Sequence, residues 1–432
     1  MKMAVIRPED YSMIYCAMPY VIENLIEKPK CFKSDSLVTD AGAELIKDEA
    51  VTVDFDTKKL FLKNAGEIFY NKLVIATGAR PFIPEIPGVH LDGVMGFKTQ
   101  HDLEKIMAFI ENGLKKAVIV GAGAIGIELA QALKQKGLDV SLVDMAPHVL
   151  PNLVGSEFAR KAEEELIRNN IDLLLNTKVE KLVGKDFVHE VHLDTGEIIY
   201  LSDYAPCVGH DNATIKGLVV FATGGVIPEL DFITDTLLKT GKQGILVNEH
   251  METNIEDVYA VGDCVQFHSF ITGNILGGKL ATNAVPMARV LADNLFDKKT
   301  SYKGFINGAA TKVYNYFIGG AGLTFDSALQ TGFEVVKGYS QLTTRFPNMP
   351  GKKDLRLKLI ADKKTLKIFG GQVLSGEPVT SVVDLISFAI QKQALVTDFI
   401  EMSYSAQPYQ SFYPAGNIFV AAAENILEQL QN

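Results

Sequence analysis

The sequence predicts an α/β chain built around a dinucleotide-binding βαβ unit, with a C-terminal α+β portion of different style. Three observations carry this. KKAVIV (115–120) is a short apolar, β-branched run; GAGAIG (121–126) follows at once; IELAQALKQK (127–136) has helical spacing and LDVSLVD (138–144) reads as a second strand. Two further runs, YNKLVIATGARP (70–81) and GLVVFATGGVIP (217–228), each end an apolar strand in Ala-Thr-Gly and a Pro-bounded loop. Beyond about residue 305 the phosphate-loop pattern disappears. LRLKLIADKKTLKIFGGQVLSG (355–376) reads as strands and VTSVVDLISFAIQKQ (379–393) as a helix.

Length and composition bound the possibilities. At about 150 residues per domain, the 432 residues imply roughly three domains. An apolar fraction of 47% and a charged fraction of 22% are ordinary globular values. The formal charge is −10 and no Lys/Arg block occurs, so nucleic acid is not an expected partner. No apolar run approaches the roughly 18 residues of a membrane span. The opening MKMAVIRPEDYS lacks a signal-peptide core, so a cytoplasmic protein is expected.

With 36 glycines in 432 residues, a bare G-x-G-x-x-G has a chance expectation of roughly 0.25. Its weight comes from its place between strand and helix. Gly121 would permit the tight turn, Gly123 the close approach of a pyrophosphate, and Gly126 the packing of helix on strand. The helix N-terminus would face the phosphates with unpaired N–H groups. Asp144, closing the second strand, would accept the adenine-ribose hydroxyls and repel a 2′-phosphate, which favours NADH over NADPH. The same acid would also serve to cap the following loop. A strand at VYAVGD (258–263) presents Asp263 at its carboxyl end, where α/β folds place ligands.

Cys16, Cys31, Cys207 and Cys264 form no C-x-x-C, and no His pair has zinc-ligand spacing, so no metal site is expected. Cys16 precedes a segment that Pro19 would start as a helix, with Val21/Leu25 and Ile22/Ile26 as i,i+4 pairs and Pro29 as its end. A helix start favours a nucleophilic thiolate. Spacing alone leaves a buried, inert cysteine equally open.

The order of these stretches resembles the pyridine nucleotide–disulfide oxidoreductases, from about Ala4 to the C-terminus. The resemblance implies two Rossmann-like domains, one for FAD and one for NAD(P), and a C-terminal α+β dimerisation domain. The implied divisions are 1–98 and 228–304 for FAD, 99–227 for NAD(P), and 305–432 for dimerisation. Gly262 and Asp263 would meet FAD, with Thr77, Gly78 and Gly224 on the stretches joining the two domains, and Glu128 matches the family glutamate after the fingerprint. Ser12, Cys16, Pro19 and Tyr20 (S-x-x-x-C-x-x-P-Y) resemble the single-cysteine branch of coenzyme A disulfide reductases, NADH oxidases and NAD(P)H sulfur reductases. That implies FAD, NAD(P)H and coenzyme A as cofactors, and a disulfide, persulfide or oxygen as acceptor. Tyr404 and Tyr413, with Tyr409, lie in SYSAQPYQSFYP (403–414), matching the segment that reaches the partner subunit's site in a homodimer. Aromatic interface packing is the equal alternative. Ala124 replaces the family's usual aromatic, so no tyrosine gate over the flavin is expected. The family also opens on a strand and glycine fingerprint for FAD that this sequence lacks. The expectation is a translation start placed too late, and the alternative of another class is a flavin-free, NAD-binding remnant.

Overall fold

The structure, a computed structural model, describes residues 2–201, 217–222, 225–233, 237–277 and 279–431. Gly224 and Cys207 therefore lie outside the described residues. The chain opens with β1 (Ala4–Ile6), β2 (Ser12–Met13), a 3-10 turn at Tyr15–Ala17 and helix α1 (Met18–Ile22). Pro19 sits in the first turn of α1, where its missing N–H costs no helical bond. The helix expected to run to Pro29 instead stops at Ile22. Asn24 adopts φ +66°, its N–H donates to the Val21 carbonyl at 3.0 Å, and the Leu25 N–H donates to the Tyr20 carbonyl at 2.9 Å. This is a Schellman closure with asparagine in the left-handed position. Val21 is accordingly buried while Leu25 is 65% exposed, so the expected helical pair is not formed.

β3 (Phe32–Lys33) pairs antiparallel with β2, and β4 (Glu44–Ile46) pairs parallel with β1. An antiparallel meander follows: β5 (Ala50–Asp54), β6 (Lys59–Leu62) and β7 (Gly66–Phe69). β8 (Leu73–Ile75) pairs in parallel with residues 258–260. The parallel layer here consists of two separate pairs, and both supply one core: Ile6 and Ile46 pack against Ile75, Val258 and Ala260.

The central unit has β9 (Ala79–Pro81), β10 (Val94–Gly96), α2 (Gln100–Glu111), β11 (Lys116–Val120) and α3 (Ala124–Gln135). It continues with β12 (Asp139–Val143), α4 (Ser156–Arg168), β13 (Ile171–Leu174), β14 (Leu218–Phe221) and β15 (Val226–Pro228). Its five-stranded parallel sheet has the order β10-β14-β11-β12-β13. Helices cover such a sheet on both faces, which is why every residue of β14 is apolar and buried. Gly137, at φ +83°, ends α3 where the sequence places the stop. β9 and β15, which follow the two Ala-Thr-Gly stretches in sequence, pair antiparallel.

After β16 (Val258–Ala260) and α5 (Ala281–Leu295), a second five-stranded sheet is antiparallel. It contains β17 (Ala309–Val313), β18 (Tyr316–Gly322), β19 (Val335–Thr343), β20 (Asp354–Asp362) and β21 (Ile368–Ser375). Helices α6 (Thr380–Gln391) and α7 (Ile418–Gln431) bury Ile386, Ala422 and Ile426 against its core residues Leu357 and Val373. The α/β fold with a separate C-terminal α+β unit is thus as expected. Among the described residues no helix is long and apolar enough to cross a membrane.

Candidate active site

The glycine turn is built as its spacing requires. Gly121 takes φ +115°, a left-handed conformation open to glycine, and its N–H donates to the Val143 carbonyl at 2.8 Å. A Cβ on Gly126 would lie 1.8 Å from the Gly121 carbonyl oxygen, whereas one on Gly123 would meet nothing within 4 Å. Gly126 thus lets helix and strand touch, and Gly123 opens outward at the start of α3, where a phosphate would meet free N–H groups. Asp144 is tied into this turn. Its Oδ2 accepts the Ala122 N–H at 2.6 Å and its Oδ1 accepts the Ala146 N–H at 2.7 Å. Each oxygen keeps a further lone pair for a ribose hydroxyl.

Cys16 is exposed on the 3-10 turn just before α1, while Cys31 and Cys264 are buried. Helix α1 spans only five residues, so it offers little dipole; what positions the thiol is packing. Met18, Val21 and Ile22 share one core with Ile127, Ala130 and Leu133 of the dinucleotide helix α3. Ser12 lies in β2 opposite Lys33 and is half-buried. The Cys31 carbonyl accepts the Ile14 N–H at 2.8 Å, and burial, then the charge of Cys16, pushes the Cys31 thiol up. Cys264 shares its S–H between the Ile75 and Val261 carbonyls at 3.4 and 3.2 Å, which makes it a packing residue. Among the described residues no cluster of His, Cys, Asp and Glu could hold a metal ion.

Glu128, on α3, reaches two other elements. It accepts the Thr311 hydroxyl of β17 at 2.9 Å and the Tyr20 hydroxyl of α1. Burial raises its carboxyl, opposed by those two hydrogen bonds. Tyr20 is pushed up to about 12, by burial first and then by the charges of Glu128, Glu23 and Cys16. Beside them is a cleft of about 320 Å³, lined in part by Tyr20, Glu23, Glu128, Lys312 and Tyr314. Nothing in local sequence pattern flagged Tyr20 or Thr311 as Glu128's partners.

At the carboxyl end of β16, Gly262 has φ +78° and Asp263 follows it. The Lys98 ammonium lies 3.5 Å from the Asp263 carboxylate. Lys279 is lowered to about 8, mainly by burial, with the Asp263 charge opposing that shift. Its ammonium donates to the Gln243 carbonyl at 2.9 Å and to the Val265 carbonyl. A carboxylate with one lysine beside it and the charge of a second acting on it suits a polyhydroxylated chain that carries phosphate, so these residues fit the ribityl-phosphate part of FAD. The Thr77 hydroxyl donates to the Glu229 carbonyl at 2.6 Å, and the Gly78 carbonyl accepts the Glu229 N–H at 3.0 Å.

In the C-terminal segment, Tyr404 and Tyr413 are 42% and 54% exposed. The Tyr404 hydroxyl donates to the Pro414 carbonyl at 2.9 Å, and Tyr413 packs edge-on against Phe346 with centroids 5.2 Å apart. Tyr409 lies under the Arg345 guanidinium.

The nucleotide turn, the docked thiol and the added antiparallel unit define an oxidoreductase of the pyridine nucleotide-disulphide type, and the comparisons agree. The profile of the pyridine nucleotide-disulphide oxidoreductases matches residues 1–288, and that of their dimerisation domain matches 309–412. The chain belongs to this family, whose members use FAD and NAD(H). It is 35% identical over 432 aligned positions to an NADH oxidase of Methanocaldococcus jannaschii, covering 96% of this chain and 91% of that protein. It is 30% identical to a CoA-dependent NAD(P)H sulfur oxidoreductase of Pyrococcus furiosus, over 84% of this chain and 79% of that one. An NAD-dependent persulfide reductase from A. fulgidus superposes with a TM-score of 0.91 at 26% identity, covering all of this chain and 79% of that one.

Proposed function

We propose that the chain oxidises NAD(P)H and passes the electrons, through Cys16, to coenzyme A disulfide or to a persulfide or polysulfide. The observation that carries this reading is the exposed Cys16 thiol, docked by α1 on the helix that opens at the glycine turn. Gly121, Gly123 and Gly126 cradle the pyrophosphate of the nicotinamide dinucleotide. Asp263, with Lys98 and Lys279, would hold the flavin's ribityl-phosphate portion, and bound FAD would supply the relay between nicotinamide and thiol. The names of the Pyrococcus and A. fulgidus relatives support a sulfur acceptor. The Methanocaldococcus relative favours a second reading, NADH oxidase with oxygen as acceptor. NADH consumption measured anaerobically with coenzyme A disulfide, with polysulfide, and in air without either separates them. Faster turnover in air than with any sulfur acceptor would replace the first reading by the second.

The reading includes NADH over NADPH. The Asp144 carboxylate stands at the turn on the Ala122 and Ala146 N–H groups, and the residues after it, Met145, Ala146 and Pro147, bring no cation to a 2′-phosphate. Asp144→Ser is expected to narrow a kcat/KM preference for NADH by on the order of tenfold, because removing one like-charge contact relieves the repulsion. Equal efficiency with both nucleotides in the parent contradicts it.

It also includes a homodimer in which Tyr404 and Tyr413 serve the partner's thiol. Sedimentation during turnover should find the activity in the dimer; an active monomer would leave these tyrosines as surface aromatics.

A further inference from the structure

We propose that Gln372, on the C-terminal antiparallel sheet, is a positioning residue for the nicotinamide dinucleotide, acting through the loop 144–155 that packs on the glycine turn. The proposal rests on the reading of that turn as the dinucleotide site and adds a residue from outside the nucleotide unit that sets its affinity. The loop is pinned to the turn at its near end. The Asp144 carboxylate accepts the Ala122 N–H at 2.6 Å, and further along the Leu150 N–H donates to the Ala122 carbonyl at 2.9 Å. Both peptide groups of one turn residue are therefore held by the loop. Leu150 is buried and takes φ +54°. A bulky side chain keeps that left-handed backbone only where its surroundings enforce it.

The far end supplies the enforcement. The Leu153 and Val154 N–H groups donate to the Leu150 carbonyl at 2.9 and 3.1 Å, and Gly155 follows at once as the N-cap of α4. The Gly155 N–H donates to Gln372 Oε1 at 3.0 Å inside the core. Gln372 is 1% exposed, and its amide nitrogen has no hydrogen-bond partner among the described residues. Burying an amide with half of it unpaired costs stability, so packing alone does not account for glutamine here. The strand register sets Lys358 of β20 opposite Gln372, and the Lys358 ammonium donates to Glu157 Oε1 in the first turn of α4 at 2.5 Å. The sheet also approaches the loop backbone itself: a Cβ on Gly320 of β18 would lie 2.7 Å from the Leu153 carbonyl oxygen. The loop is thus strung between the glycine turn and the C-terminal sheet, with the strained residue between its anchors. Freeing Gly155 lets Leu150 relax and releases the Ala122 carbonyl. The turn and Asp144 must then be ordered when the dinucleotide binds, and affinity falls by that cost.

The test is calorimetric titration of NAD⁺ into the whole protein, with melting temperatures measured beside it. Gln372→Met keeps the length and apolar packing of the side chain and removes the acceptor; Gln372→Glu keeps the acceptor beside Lys358. Gln372→Met should raise the Kd for NAD⁺ about fivefold or more, and Gln372→Glu should stay within about twofold of the parent. Because coupling is reciprocal, NAD⁺ should also slow hydrogen exchange in the parent's peptide containing Gly155. Equal Kd values in the parent and Gln372→Met, with only the melting temperature lowered, would overturn the proposal. So would equal weakening in both variants, which would make Gln372 a packing residue. Unchanged exchange at Gly155 in the NAD⁺-bound parent would overturn it even if Gln372→Met does not fold. These results leave the reading of the glycine turn standing; a parent that binds no NAD⁺ removes that reading and this proposal together.

Discussion

Cys16→Ser is expected to cut turnover with coenzyme A disulfide and polysulfide by on the order of a thousandfold or more, while NADH still bleaches the flavin. The hydroxyl of serine does not ionise near neutral pH and forms no disulfide, so the acceptor half of the reaction has no carrier. On the proposed reading the nicotinamide half rests on the glycine turn and Asp263, apart from Cys16. The exposure of Cys16 also means that the substitution leaves the core intact, so a stability loss cannot mimic the effect. Steady-state assays with each acceptor, beside an anaerobic NADH titration of the flavin spectrum, check both halves.

Gly126→Val should be nearly as severe by a different route. Its Cβ would be driven to 1.8 Å from the Gly121 carbonyl oxygen, a distance that forces helix α3 away from β11. Overpacking of this kind costs about 1–3 kcal/mol, occasionally more. The displaced element is the one proposed to meet the dinucleotide, so both the melting temperature and NADH affinity should fall. Gly123→Ala separates the two effects. Its Cβ meets nothing within 4 Å in the protein, so the fold should keep its melting temperature while the methyl group occupies the approach of the pyrophosphate. A rise in KM for NADH of on the order of tenfold without loss of stability is expected. Unchanged NADH affinity in Gly123→Ala would remove the pyrophosphate from this turn.

The nucleotide unit was legible because its signals are local. KKAVIV, GAGAIG and the helix behind them occupy consecutive residues, and β11, the turn and α3 fall where the pattern places them. Helix α1 was overread because the apolar i,i+4 spacing continues to Ile26, whereas Asn24 can leave the helix through a left-handed conformation that periodicity does not register. The bracing of Glu128 was invisible for another reason. Thr311 stands 183 residues away, and only the tertiary fold brings β17 to α3. Asp144 shows a mixture: its place at the strand end was readable, but its hold on the Ala122 and Ala146 N–H groups depends on how the turn closes. The pairing of the parallel strands was also beyond the motifs, since β1 with β4 and β8 with β16 form two separate ladders.

The most direct test of the central claim follows the sulfur of Cys16 itself. The protein is incubated anaerobically with coenzyme A disulfide, sampled before and after NADH is added, and the Cys16 peptide is weighed by mass spectrometry. A coenzyme A adduct on Cys16 that forms with the disulfide and disappears with NADH is the predicted result. A Cys16 peptide that never carries the adduct, or an adduct that NADH leaves in place while NADH is consumed, would contradict it.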